Sequence, residues 1–263
     1  MGAEFFSSGI YDTGRILGFL LVLARVAGVF TFVPFPGFNG SPVTARVVLS
    51  LAIAICLFPL WPAVPDLDQS FASLAGYVIM DAAVGLVLSL TVAFAIEAMK
   101  VAAQVAGLQA GFGYASTIDP SSEADSSLLL VVSELFAGLL FFGAGLDRQV
   151  LAILAGTIKT LPPGRIVQFQ GVPHAIVRLS GEMFVYGLRL AFPIIAFLVL
   201  VDLTLGFLGR VNAQLQLLTL AFPVKIMAAL GLFALLAPVY ARVYQQLAQR
   251  MIESAAGLLL HGR

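Results

Sequence analysis

The chain has 263 residues, 60% of them hydrophobic and only 11% charged, with a mean hydropathy of +1.02. A soluble domain is roughly 45–50% apolar and about 25% charged, so too few charges remain here to solvate a globule of this composition. Fourteen Lys and Arg balance fourteen Asp and Glu, which leaves no basic surplus for nucleic acid, and one cysteine with two histidines excludes a disulfide framework and a Cys/His metal centre.

At the start, Met1-Gly2-Ala3-Glu4-Phe5-Phe6 lacks the basic region of a signal peptide, and no removable leader is expected. Phe6 stands where a myristoylation site requires Ser or Thr. A hydrocarbon core of roughly 30 Å needs about 20 apolar residues per helix, and six stretches approach that length. They run over 16–35, 47–61, 74–99, 128–146, 183–208 and 215–240. Every backbone amide in lipid must be satisfied internally, so runs this long favour helices over barrel strands. Asp147–Leu161 reads as a further short helix stopped by Pro162-Pro163-Gly164. In the tail, Val243, Leu247, Met251 and Ile252 fall on one face of an amphipathic helix. Cys56 lies in an apolar run and reads as a small buried hydrophobe.

Arg25, Asp81, Glu134, Arg189, Asp202 and Lys225 fall within or near these runs. Each costs roughly 2.5–3.5 kcal/mol at mid-span on insertion scales, so six of them point to buried partners or a polar path. Pro193 and Pro223 interrupt the backbone bonding of their spans and are expected to kink them. His174 and His261 stand in polar surroundings without ligand spacing and read as solvated. No nucleophile elbow, zincin or P-loop motif is present. No catalytic residue, cofactor or metal is expected.

Two segments carry more information. In Gly107-Leu108-Gln109-Ala110-Gly111-Phe112-Gly113-Tyr114, continuing to Asp119-Pro120, the Gly-x-x-x-Gly spacing allows close helix approach. Gly113 lets the chain leave helical geometry cheaply, Phe112 and Tyr114 add bulk, and Asp119-Pro120 forms a turn. The physics is compatible with a hinge or plug, while the plainer reading of these residues alone is an ordinary Gly-rich connector. The second segment joins two apolar spans through Arg210-Val211-Asn212-Ala213-Gln214 and continues into Phe222-Pro223-Val224-Lys225, an antiparallel helical hairpin. Reflection about Val211-Asn212 sets Asp202 opposite Ala221 with Lys225 one turn deeper. A Lys side chain can span that offset, and a carboxylate on a partner subunit is the other candidate.

Taken together, the Gly107–Pro120 segment and the Arg210-to-Pro223 hairpin resemble the FliR/SctT family of type III export-gate proteins, and the likeness covers nearly the whole chain. The resemblance implies an all-α polytopic membrane protein of about six apolar helices ending in a FliQ-like hairpin. Its parts would be a FliP-like region 1–182 including a plug loop 100–127, a hairpin 183–240 and an amphipathic tail 241–263. It implies a core subunit that forms, with FliP- and FliQ-type subunits, the pore through which unfolded flagellar proteins leave the cytoplasm. Gly107, Leu108, Gln109, Gly111, Phe112, Gly113, Tyr114, Asp119 and Pro120 would be the plug. Asp202, Arg210, Asn212, Gln214, Phe222, Pro223 and Lys225 would be subunit-contact residues of the hairpin. FlhB- and FlhA-type proteins, the unfolded cargo and membrane lipid are the other implied partners, and the inner membrane and flagellar basal body the implied location.

Ala110 stands where injectisome counterparts usually carry a basic residue, which favours the flagellar branch over a virulence export gate. A further alternative is an ion-coupled secondary transporter relaying through Asp81, Glu134 and Lys225, although no internal repeat supports it. Orientation divides the arguments. Counting Lys and Arg in the connections gives eight on the side of both termini against three on the other, which puts the termini in the cytoplasm. The resemblance instead puts the Arg210–Gln216 turn there. It takes precedence, because the counting rule assumes helices inserted singly into a bilayer.

Overall fold

The computed structural model describes residues 13–33, 43–61, 70–112, 128–165, 171–211 and 217–260. These residues form seven α-helices, one 3₁₀ turn and no strand. The α-helices are Thr13–Val29 (α1), Val43–Cys56 (α2), Phe71–Ala110 (α3), Leu128–Gly143 (α4), Leu146–Thr160 (α5), Val172–Val211 (α6) and Leu217–Leu260 (α7). The 3₁₀ turn Phe58–Leu60 follows α2.

The protein is an all-α membrane protein, but its apolar runs are apportioned differently from the six expected spans. Among the described residues three helices are long and apolar enough to cross a bilayer, or four if the bent pair α4–α5 counts as one span. The third run continues past Met99 to Ala110 and so takes in the first part of the Gly-rich segment. The sixth run and the amphipathic tail are one helix, because nothing between Tyr240 and Leu260 breaks it. At 40 to 44 residues each, α3, α6 and α7 are about 60–66 Å long, roughly twice the hydrocarbon thickness. Pro193, Pro223 and Pro238 all lie inside continuous helix. The Leu190 carbonyl, one turn before Pro193, accepts a hydrogen bond from the Tyr240 hydroxyl at 3.1 Å.

The described chain divides into two compact units, and each long helix contributes to both. One unit comprises 1–93, 145–177 and 248–263. Its core is the crossing of α1 and α3, where glycines remove the side chains that would hold the backbones apart. A Cβ on Gly28 would fall within contact distance of the Ala82 carbonyl and 3.0 Å from Leu86 N. One on Gly85 would fall against the Arg25 carbonyl and 2.9 Å from Val29 N. Ser89 donates to the Gly28 carbonyl at 3.1 Å across the same crossing. Backbone cannot yield as a side-chain tip does, so Gly85→Ala is expected to destabilise by about 1–3 kcal/mol. The check is the folded fraction recovered in detergent, with Gly76→Ala, where a Cβ meets nothing, as the reference.

α5 fills out this unit. Leu146, Val150, Leu154, Thr157 and Ile158 form its buried stripe at helical spacing. Gly145, just before α5, adopts φ +67°, a left-handed conformation glycine takes without penalty. In α7, Leu247, Met251 and Ile252 of the tail's expected apolar face are buried and Val243 is half-buried, while Tyr244, Ala248, Ala255 and Leu259 are buried as well. Cys56 is exposed, contrary to expectation. Only Ser50 and Ala54 of α2 are buried, so the apolar run around Cys56 presents most of its surface outward.

The other unit comprises 94–144 and 178–247. Ser133 of α4 donates to the Met99 carbonyl of α3 at 3.0 Å, and Gly187 of α6 brings that helix against Ala98 and Val101. Phe233 of α7 stacks edge-on against Phe136 and tilted against Tyr240, with centroids 5.9 and 5.4 Å apart.

Candidate functional site

α3 carries its helix to Ala110, and the Gly-rich segment begins inside it. Gly107 is buried and Leu108 exposed in the last turns of the helix. Gly111 ends it: its N–H is shared between the carbonyls of Gly107 and Leu108, both at 3.1 Å, and its φ is +91°. A bifurcated bond followed by a left-handed glycine is a common way to terminate a helix, since it satisfies orphan carbonyls and turns the chain away. Phe112, half-buried, follows. The expected plug positions Gly113, Tyr114, Asp119 and Pro120 lie outside the described residues, as do the hairpin positions Asn212 and Gln214.

The hairpin helices α6 and α7 supply the rest. Lys225 Nζ lies 2.9 Å from Asp202 Oδ1 and 3.0 Å from Oδ2, so within this chain the Lys reaches across the offset between the two helices. The Lys225 side chain is largely buried, while that of Asp202 is 42% exposed. Gln109 of α3 donates its amide N–H to the same Asp202 Oδ2 at 3.1 Å. Phe222, one turn before Lys225, lays its ring on Gly111: a Cβ there would meet Cδ1 at 2.6 Å and Cε1 at 2.9 Å. Pro223 and Arg210 are exposed. The two segments read separately from the sequence therefore meet at Gln109 and Gly111 on one side and Asp202, Phe222 and Lys225 on the other.

Of the remaining expected intramembrane charges, Arg25 and Asp81 form a second cluster in the first unit. Both are almost wholly buried. Arg25 donates through Nε to Asp81 Oδ1 at 2.9 Å, with Nη2 closing the fork on the same oxygen. Its Nη1 donates to the carbonyls of Thr157 and Leu161, each at 2.9 Å. Asp81 Oδ2 accepts the N–H of Gly164 at 3.1 Å. The reason lies in the local sequence. Pro162 and Pro163 have no N–H to offer the carbonyls at the end of α5, so the guanidinium caps them and complements the helix dipole. Arg25 and Asp81 were legible as costly charges. Their partnership with Thr157, Leu161 and Gly164 was not, since sequence separations of 83 to 136 residues leave no local signal. Arg189 is exposed on α6, its guanidinium 5.7 Å from the Tyr186 ring centre. Glu134 is half-buried on α4. Among the described residues no three His, Cys, Asp or Glu side chains gather as metal ligands would.

Residues 16–251 match the family described as bacterial export proteins, family 1. The chain belongs to that family. Proteins similar to it include the flagellar biosynthetic protein FliR of Escherichia coli (strain K12), 27% identical over 237 residues, which are 90% of each chain. FliR of Pectobacterium carotovorum subsp. carotovorum is 28% identical over 226 residues, 85% of this chain and 86% of that one. FliR of Bacillus subtilis (strain 168) is 27% identical over 213 residues, 79% and 81% of the two chains. The match to export proteins, family 1, includes both clusters, from Arg25 to Lys225, and the helix end at Gly111.

Proposed function

We propose that this chain, an integral membrane component of a flagellar export apparatus, is a core subunit of the export gate. On this reading it forms the pore for unfolded flagellar proteins with FliP- and FliQ-type subunits, and the segment 107–120 is a plug that closes the pore. FlhB- and FlhA-type proteins are its further neighbours, and the inner membrane at the basal body is its place. The likeness to proteins named FliR along 79–94% of the chain carries the flagellar assignment.

Surface supports the need for partners. In the most apolar 18-residue stretch of α7 only 11% is buried within the chain, and in that of α6 22%, against 56% for α3. Those stretches are about 27 Å long and can be covered by lipid, but helices of 40 to 44 residues extend well beyond the hydrocarbon, where neighbouring subunits are the natural cover. The plug assignment draws support from Gly111, where the chain is turned out of α3 with Phe112 immediately after it. A closed export pore must also exclude ions, and a hydrophobic constriction achieves this by dewetting.

Deletion of 108–113 tests the reading. The expected result is an assembled complex whose membrane leaks ions or small solutes, read as conductance or osmotic sensitivity with assembly followed in parallel. An assembled deletion variant as tight as the parent would make the segment a connector and end the plug assignment.

A further inference from the structure

One carboxylate joins three long helices. Asp202 on α6 is held by Lys225 on α7 and receives the amide of Gln109 on α3. Each of these helices is strongly apolar, with a mean hydropathy of 2.0 to 2.3 in its spanning stretch. Apolar side chains of similar volume commonly pack helices as well as an ion pair does, so helix packing alone does not call for this pair. Its placement suggests another task. Gln109 is two residues before Gly111, the point where the chain leaves α3. Phe222, on the turn of α7 that precedes Lys225, covers the Cα of Gly111 itself. The last turn of α3 is thus gripped twice from the hairpin, once through a polar group and once through a ring.

We propose that the Asp202–Lys225 pair and the Phe222 ring position the start of the Gly-rich segment, with Gln109 as the positioning residue that ties the segment to the hairpin. The inference rests on the gate reading above and deepens it by naming what holds the segment's start. Lys225 fixes the carboxylate from a nearly buried site, and the carboxylate in turn fixes the Gln109 amide. A single hydrogen bond to a part-exposed carboxylate can break and re-form readily, whereas the glycine under Phe222 sets the angle of departure. The hairpin residues expected to serve contacts with other subunits act, on this proposal, within the chain.

The test uses the full chain carrying Cys56→Ser and Phe112→Cys, purified in complex with its membrane partners, and reads the rate of maleimide labelling at position 112. Loss of the Gln109 amide in Gln109→Leu should raise that rate about five-fold, the worth of one modest hydrogen bond. Gln109→Lys, which restores a donor of similar reach to Asp202, should return it to the reference value. Should Gln109→Leu fail to assemble, Gln109→Ser, too short to reach the carboxylate, carries the same expectation. An unchanged labelling rate in the assembled variant overturns the proposal, whatever the membrane does. Ion leak measured on the same variants separates the two readings: faster labelling with a tight membrane upholds the positioning and overturns the plug.

Discussion

Asp81→Ala is expected to remove most of the folded chain, at a cost of about 3–5 kcal/mol, because it strands a buried guanidinium. Arg25→Ala should cost as much by stranding the carboxylate. Arg25→Lys should fall between these and the parent. An ammonium can reach one or two of the acceptors, but it cannot fork onto Asp81 while donating to both Thr157 and Leu161. The informative variant is the double replacement Arg25→Met with Asp81→Leu. For an isolated buried pair such a replacement is often neutral. Here it leaves the part-buried Leu161 carbonyl and Gly164 N–H without the partners they have in the structure, at a cost for each below the roughly 1–3 kcal/mol of a fully buried group. The double variant is therefore expected to remain destabilised, by less than either single change. Thermal unfolding of the detergent-extracted complex, with the parent as reference, measures all four. A double variant as stable as the parent would show that the pair, and not the end of α5, is what Arg25 and Asp81 serve.

How much of this could be read from the sequence follows from what each signal depends on. Helical class and the break at Pro162-Pro163-Gly164 depend on local composition, and both were legible. Of the four residues the tail periodicity puts on one face, Leu247, Met251 and Ile252 are buried and Val243 is half-buried. Span ends were not legible, because apolar residues continue α3 to Ala110 and polar residues after Tyr240 do not stop α7. In a membrane protein an apolar residue faces lipid, core or partner with equal ease, which is why Cys56 reads as buried and is exposed. The glycines at 28 and 85 carry no sequence signal, since close approach needs a glycine on each helix and the two lie 57 positions apart in a Gly-rich chain. Within the candidate site, Asp202 and Lys225 could be related by reflecting the hairpin about its turn. No such symmetry relates Gln109 to Asp202, and only the folded chain places α3 beside them.

The other large effect is expected at Gly111, where two separate penalties meet. Its φ of +91° lies where side-chain-bearing residues are rare, and forcing one there costs of order 1–3 kcal/mol. A β-branched residue fares worst. Independently, a Cβ would press on the Phe222 ring at 2.6 and 2.9 Å, and the ring must move. Gly111→Val is therefore expected to change where the chain leaves α3 and to lower secretion of flagellar proteins at least about ten-fold, the equivalent of about 1.4 kcal/mol, with the complex still assembled. The two penalties can be told apart. Gly111→Ala combined with Phe222→Ala relieves the contact and leaves the backbone strain, so secretion should recover in part over Gly111→Ala alone. Gly111→Asn tests the converse, since Asn tolerates positive φ better than other side chains but still meets the ring. Secretion is measured against cellular levels of the same proteins, with assembly followed on native gels. If Gly111→Val assembles and secretes at the parental rate, neither the left-handed turn nor its packing under Phe222 matters to export, and the departure of the chain at this glycine is only a helix end.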